Sequence, residues 1–227
     1  MRKVKLILKI LLFLVIGCYS VTMLNEGTAA NNNHIIFQKT PEYITYLEKV
    51  LKNEIGEYIK SKAPNSTLSP DSVLKICQDY DLKIAFVLAQ GHIESHFGTA
   101  GVAARTNSVF NVGTFDNGVI LYSYLDPNLS IKPYASLISR RYLVNGKTEE
   151  DLLKPKKFVN WAGKRYASLK VYEYRVKKVY NEIKNDTAID SLQKKIDRIK
   201  AEPQLYANSV AKLFDLIAIK NKKHETN

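Results

Sequence analysis

Glu94 lies in residues 86–99, Phe-Val-Leu-Ala-Gln-Gly-His-Ile-Glu-Ser-His-Phe-Gly-Thr, a helical apolar run that ends at a glycine. It is a carboxylate among groups that do not invite a charge. At about 100° per residue, Glu94 shares a face with Val87, Gln90, Gly91 and Phe97. Gly91, one turn below, is expected to leave room beside the carboxylate, and Phe97 offers an apolar wall. Burial against such a surface disfavours the charged form and raises a carboxyl pKa, which general-acid chemistry near neutral pH requires. The competing reading is an ordinary exposed helix glutamate. His92 and His96 raise a second chemistry, because histidines at i and i+4 can share a zinc ion. Glu94, however, follows His92 by two positions, about 200° around the helix and away from the pair. The only other histidines are His34 and His224, so no metal and no cofactor is expected.

The elements that must hold Glu94 follow from periodicity. The central helix is predicted over 83–97, with Gly98 ending it. Upstream, Ile44, Leu47, Leu51, Ile55 and Tyr58 mark one face of a helix over 41–60, entered through Thr40 as cap and Pro41 as first residue. Ser69-Pro70-Asp71 opens another helix to about Tyr80, with Val73, Leu74 and Cys77 inward. Cys77 reads as core, since nothing basic surrounds it to activate a thiol. Residues 113–124 read as a short hairpin turning at Asp116-Asn117-Gly118. Helices are predicted over 131–143 and 158–183, separated by a polar loop near Asn145-Gly146. A charged helix over 186–202, with Ile189, Leu192, Ile196 and Ile199 in one stripe, is divided by Pro203 from a second amphipathic segment over 206–219. The last residues, 220–227, read as disordered.

With 227 residues, 45% of them apolar, and 14 tyrosines, the chain can build one domain with a substantial core. Its net charge of +12 favours polyanions. The lysines are dispersed and no nucleic-acid recognition motif is present, so nucleic acid is not the expected partner. Two cysteines exclude a disulfide framework. Residues 1–24 have a basic start and an apolar run at 10–17, the pattern of an export signal. Extended to Leu24 the run covers roughly 22 Å, short of a ~30 Å bilayer core. Val15-Ile-Gly-Cys18 also fits a lipobox, so signal peptide, lipoprotein signal and membrane anchor all stay open. Export, to periplasm or outside the cell, is the common expectation. Residues 25–39 read as a polar linker, 40–185 as the main domain, and 186–227 as a helical extension able to pack back on it or to bind a protein partner.

Residues 89–99 together with 107–113, Asn-Ser-Val-Phe-Asn-Val-Gly, resemble the bacterial autolysin and flagellar-type endo-β-N-acetylglucosaminidase family. That pattern runs Ala-Gln, two residues, Glu-Ser, one residue, aromatic-Gly, then Asn and a Phe-Gly-like pair. Here three residues rather than two separate Gln90 from Glu94. Residues 124–131, Tyr134, Arg141-Tyr142, then Arg165-Tyr166-Ala167-Ser168 and Tyr172 follow in the family's order, and the likeness spans about 68–183. It implies a mainly α (α+β), lysozyme-like fold with a helical body, a small β-hairpin lobe, and further helices at both ends. It implies hydrolysis of the β-1,4 bond after N-acetylglucosamine in peptidoglycan, with Glu94 as the acid and Tyr166 as a cleft tyrosine. Gln90, Phe97, Phe110, Asn111 and Tyr172 are expected at the substrate.

Glycosidases usually use two carboxylates, and the family often places the second, a glutamate, in the hairpin. Asp116 stands nearest to that role, though Asp-Asn-Gly is also ordinary turn chemistry. Substrate assistance through an N-acetyl group is the alternative. Leu169 and Lys170 depart from the acid that often follows the closing motif. Trp161 and Tyr174 join Tyr166 and Tyr172 as aromatics that could cover a sugar ring. The expected function is therefore an exported peptidoglycan hydrolase acting on glycan strands. The alternatives are a non-catalytic wall-binding or membrane-tethered assembly module on the same scaffold, and a zinc hydrolase.

Overall fold

In the computed structural model, residues 29–210 and 212 are described, with side chains from residue 40 onward. The export segment 1–24, the start of the expected linker, and most of the 206–219 helix and the tail lie outside the described residues. The chain divides into two compact units, Val50–Gln193 and a second drawn from the stretches on either side of it.

The described chain is carried mainly by α1 Ala29–Lys62, α2 Pro70–Tyr80, α3 Ile84–Ser95, α4 Ala103–Thr106, α5 Ile131–Arg141, α6 Glu149–Leu152, α7 Tyr172–Asp186 and α8 Ile189–Ala201. A 3-10 turn, Pro127–Ser130, precedes α5. Within Val50–Gln193, α3 packs mainly on α7, and α2 packs on α5 and α3. The core is built from Leu51, Ile55 and Ile59 of α1, Val73 and Cys77 of α2, Tyr134 and Ile138 of α5, and Val176 and Ile183 of α7. Every residue of α3 from Ile84 to Gly91 is buried. A helix apolar on all sides belongs in the middle of a fold rather than on its surface.

Local chemistry sets most boundaries. Ser69 caps α2, its hydroxyl accepting the Ser72 N–H at 3.5 Å, with Pro70 in the first turn. Thr148 and Asp151 form a reciprocal capping box on α6. α3 ends two residues before its predicted end, because His96 turns left-handed (φ 46°) and gives its N–H to the carbonyls of Gly91 and His92. Cys77 is buried, as expected, and burial pushes its thiol pKa upward.

Three expectations need correction. The first helix does not begin at Thr40-Pro41: α1 already runs through residues 29–39 of the linker segment and through Pro41, which sits inside it. Proline removes one helical N–H bond, but buried Thr40, Tyr43 and Leu47 hold the helix by packing. Residues 158–171 are not helical, and helix resumes only at Tyr172. Among the described residues no β-strand forms. The expected lobe is reduced to an isolated bridge between Thr114 and Ile120. Its turn is where the sequence puts it, with the Gly118 N–H donating to Phe115 O at 2.9 Å. Gly113 has φ 77°, and a Cβ there would lie 2.4 Å from the Tyr122 ring, so only glycine lets the loop close.

The second unit contains Tyr43 stacked on Tyr206 at 5.8 Å, Lys195 over the Tyr43 ring, and a Lys200–Glu48 pair at 2.8 Å. Glu202 interrupts the helix before residues 203–210, which are again helical, as Pro203 predicts.

Candidate active site

Glu94 occupies the last turn of α3, half-buried. The Tyr172 hydroxyl, from the first residue of α7, donates to Glu94 Oε1 at 2.6 Å. The same hydroxyl accepts from Gln90 Nε2 at 2.9 Å, and the Tyr134 hydroxyl of α5 donates to Gln90 Oε1. One direction therefore runs through the network: Tyr134 to Gln90, Gln90 to Tyr172, Tyr172 to Glu94. Gln90 and Tyr134 are fully buried, so each polar atom must find a partner, and here each does. Burial, with the Glu94 charge close by, holds the Tyr172 phenol well above its usual pKa. Tyr172 thus remains a donor.

The other carboxylate oxygen meets the loop 107–111. Asn111 Nδ2 donates to the Glu94 backbone carbonyl at 2.8 Å and, weakly, to Oε2 at 3.3 Å. Asn107 (φ 54°) and Asn111 (φ 50°) are left-handed, a conformation asparagine tolerates better than most residues. Ser95 Oγ donates to Val109 O at 2.7 Å and accepts the Gly98 N–H, while the Val109 N–H goes to Ser130 Oγ at 3.1 Å. Ser95 is thus the pin that brings Asn111 onto Glu94.

The balance of effects on Glu94 is upward. Desolvation raises its pKa, and the bonds from Tyr172 and Asn111 and the charge of Arg175 pull only partly the other way. Because Tyr172 occupies Oε1 as a donor, a proton on the acid belongs on Oε2.

The remaining predicted residues are placed as follows. Tyr166 stacks between Phe158 (4.7 Å) and Tyr172 (5.5 Å), with its hydroxyl 3.4 Å from Phe110 O, a long contact. Phe97 and Phe110 are buried at 1% and 2% exposure, so both support the site from below instead of facing a ligand. The room expected beside Gly91 is filled by those two rings, which a Cβ there would meet at 3.2 and 3.4 Å. Phe110 in turn lies flat on Tyr134 at 3.7 Å. Asp116 is exposed at the tip of its turn. Trp161 and Tyr174 are exposed at 70% and 72%. The His92 and His96 rings lie 5.0 Å apart, tilted at 48°, His92 Nδ1 is buried without a partner, and burial lowers the His92 pKa. Among the described residues, no group of three or more His, Cys, Asp or Glu is arranged to hold a metal ion.

Sequence reasoning did not assign roles to Tyr134 and Ser95, although both lie in the segments that carry the resemblance. Nor did it single out Arg165 and Glu173. Arg165 Nη2 donates to both carboxylate oxygens of Glu173, at 3.1 and 2.9 Å, and to Leu169 O at 3.2 Å. The charge at each position was visible, but the pairing was not.

Residues 71–185, just over half the chain, match the family described as mannosyl-glycoprotein endo-beta-N-acetylglucosaminidase. The chain belongs to that family. Its domain suggests a glycoside hydrolase with peptidoglycan as substrate. No curated protein matches the chain closely enough to count as a relative.

Proposed function

We propose that this protein hydrolyses the β-1,4 bond following N-acetylglucosamine in peptidoglycan, with Glu94 as general acid. The observation that carries the reading is the environment of Glu94: a carboxyl at the end of a buried helix, its pKa raised by desolvation, with Oε1 tied to Tyr172. Oε2–H gives its proton to the glycosidic oxygen as the bond to the anomeric carbon breaks. Water then adds at that carbon and returns a proton to solvent or to a base. A raised pKa keeps Oε2 protonated further up the pH scale, so activity falls as pH rises through that pKa.

Asp116 is assigned as the second carboxylate, being the only acid in residues 113–124. The sugar's N-acetyl group is the alternative nucleophile. Tyr166, half-buried, presents aromatic surface to the glycan, while Tyr172 is buried and serves through its hydroxyl, with Gln90 acting through it. The protein works after export. Residues 1–24 direct it there, and the +12 charge favours an anionic wall. Among the described residues no helix is long and apolar enough to cross a membrane, so any membrane tether is assigned to that leading segment.

Glu94→Gln keeps the acceptor for Tyr172 and removes the proton. It is expected to cut hydrolysis of purified sacculi by about 10²- to 10⁴-fold while the protein stays folded. The exposed, unsupported position of Asp116 favours one other reading, a wall-binding module without catalysis. Sacculus binding by the wild type without any release of fragments would establish it.

A further inference from the structure

We infer that the Arg165–Glu173 ion pair is a positioning device that holds Tyr172 on Glu94. The inference rests on the general-acid reading of Glu94 and names what sets its geometry. Arg165 directly precedes Tyr166, and Glu173 directly follows Tyr172. Their ion pair, 2.9 Å at its shorter contact, therefore ties together the two ends of the stretch that carries both tyrosines. The third bond, from Arg165 to Leu169 O, fixes the middle of that stretch. Within it, residues 168–171 are exposed and α7 begins without a side-chain cap. Besides the ion pair, the approach to Tyr172 is held by the Tyr172 N–H on Leu169 O at 3.1 Å.

Glu173 is 3% exposed. A charge so buried is tolerated only with a well-placed partner, and Arg165 Nη2 is that partner, reaching both carboxylate oxygens of Glu173 from one nitrogen. Glu173 also lies in the first turn of α7, where the helix dipole favours a negative charge. The pair touches neither Glu94 nor a reacting atom. It acts by fixing the phenol that does: the rings of Tyr166 and Tyr172 stack at 5.5 Å, and the Tyr172 hydroxyl lies 2.6 Å from Oε1. The titratable and charged groups around Glu94 are Tyr172 and Arg175 of α7, Tyr134 of α5, and Tyr166. Of these, Tyr172 alone makes a side-chain hydrogen bond to the carboxyl.

The test uses the full chain with Arg165→Gln, Glu173→Gln and the double variant Arg165→Gln/Glu173→Gln, which leaves no unpaired charge if a single variant folds poorly. The Glu94 carboxyl is titrated by carbon-13 NMR, and kcat and KM are followed against pH on sacculi. Losing a well-placed Tyr172 donor should move the Glu94 midpoint, and the high-pH limb of kcat, upward. It should also lower kcat by about 10- to 100-fold with little change in KM, the scale of a misplaced catalytic contact. An unmoved Glu94 midpoint in folded variants would overturn the inference, and so would a loss of activity that merely follows the folded fraction. The NMR reading needs no catalysis. An active Glu94→Gln enzyme would instead overturn the general-acid reading and leave the positioning result to the titration.

Discussion

Two walls meet at Glu94, and they are built differently. On the helical wall, α3, α5 and α7 bring Gln90, Tyr134 and Tyr172 into one chain of hydrogen bonds, all three side chains buried. The loop wall starts two residues after Asn111 and exposes Phe115, Val119, Ile120, Leu121 and Tyr122, with Leu125 at 98% exposure. Its backbone closes through a single bridge. The helical wall fixes one atom, Oε1 of Glu94, through the Tyr172 hydroxyl. The loop wall leaves apolar surface unspent, as a face that meets a ligand does. Precision and contact area are thus divided between the two.

Breaking the helical wall should have the largest effect. Gln90→Leu leaves the buried Tyr134 hydroxyl without its acceptor and takes from Tyr172 the N–H it accepts, though not its bond to Glu94. Each buried orphan costs about 1–3 kcal/mol, so a clear drop in melting temperature is expected together with lost activity. Tyr172→Phe removes the donor to Glu94 and, with it, the acceptor for Gln90 Nε2. It should lower kcat and shift the high-pH limb upward, and a pH–rate profile identical to wild type would separate Tyr172 from the chemistry.

On the loop wall the expected effects are smaller and fall on activity alone. Asp116→Asn should reduce kcat without changing the melting temperature, because Asp116 is exposed at the turn. Full activity in that variant would hand its role to the substrate's N-acetyl group. Leu121→Ser should raise KM and leave stability within about 0.5 kcal/mol.

Away from both walls, Glu150 offers a control. Burial opposes its charge, but bonds from Lys83 and Tyr180 outweigh this and bring its pKa down to about 2. A depressed carboxyl stabilises the fold above its ordinary value of 4.5 and loses that contribution as pH falls toward about 2. Glu150→Gln should therefore flatten acid unfolding in that window and leave the Glu94 pH–rate limb in place.

How much of this was legible depended on range. Ser69-Pro70, the Asp116-Asn117-Gly118 turn and the break at Pro203 are local, and the sequence reads them correctly. Thr40-Pro41 has the same local signature as Ser69-Pro70, yet α1 passes through it, because burial along the helix outweighs one missing N–H. Residues 158–171 carry aromatics at helical spacing, but those rings form a stack of Phe158, Tyr166 and Tyr172 on a loop closed by Arg165 and Glu173. The face containing Gly91, Phe97 and Glu94 was read as one open surface. α3 is surrounded, so Gly91 receives rings from the same chain. Glu94 itself stood out as an acid in apolar company. Its partners, Asn111 and Tyr172, and Tyr134 behind Gln90, are distant in sequence, and no spacing rule joins them. The hairpin over 113–124 follows from its turn residues and the lobe from the family resemblance, and the structure keeps the turn and one bridge.

The most direct measurement digests purified sacculi with wild-type and Glu94→Gln protein side by side and identifies the released glycans by mass. Fragments ending in reducing N-acetylglucosamine from the wild type, and essentially none from the variant, are predicted. Fragments ending in reducing N-acetylmuramic acid, or equal release by the variant, would contradict the account.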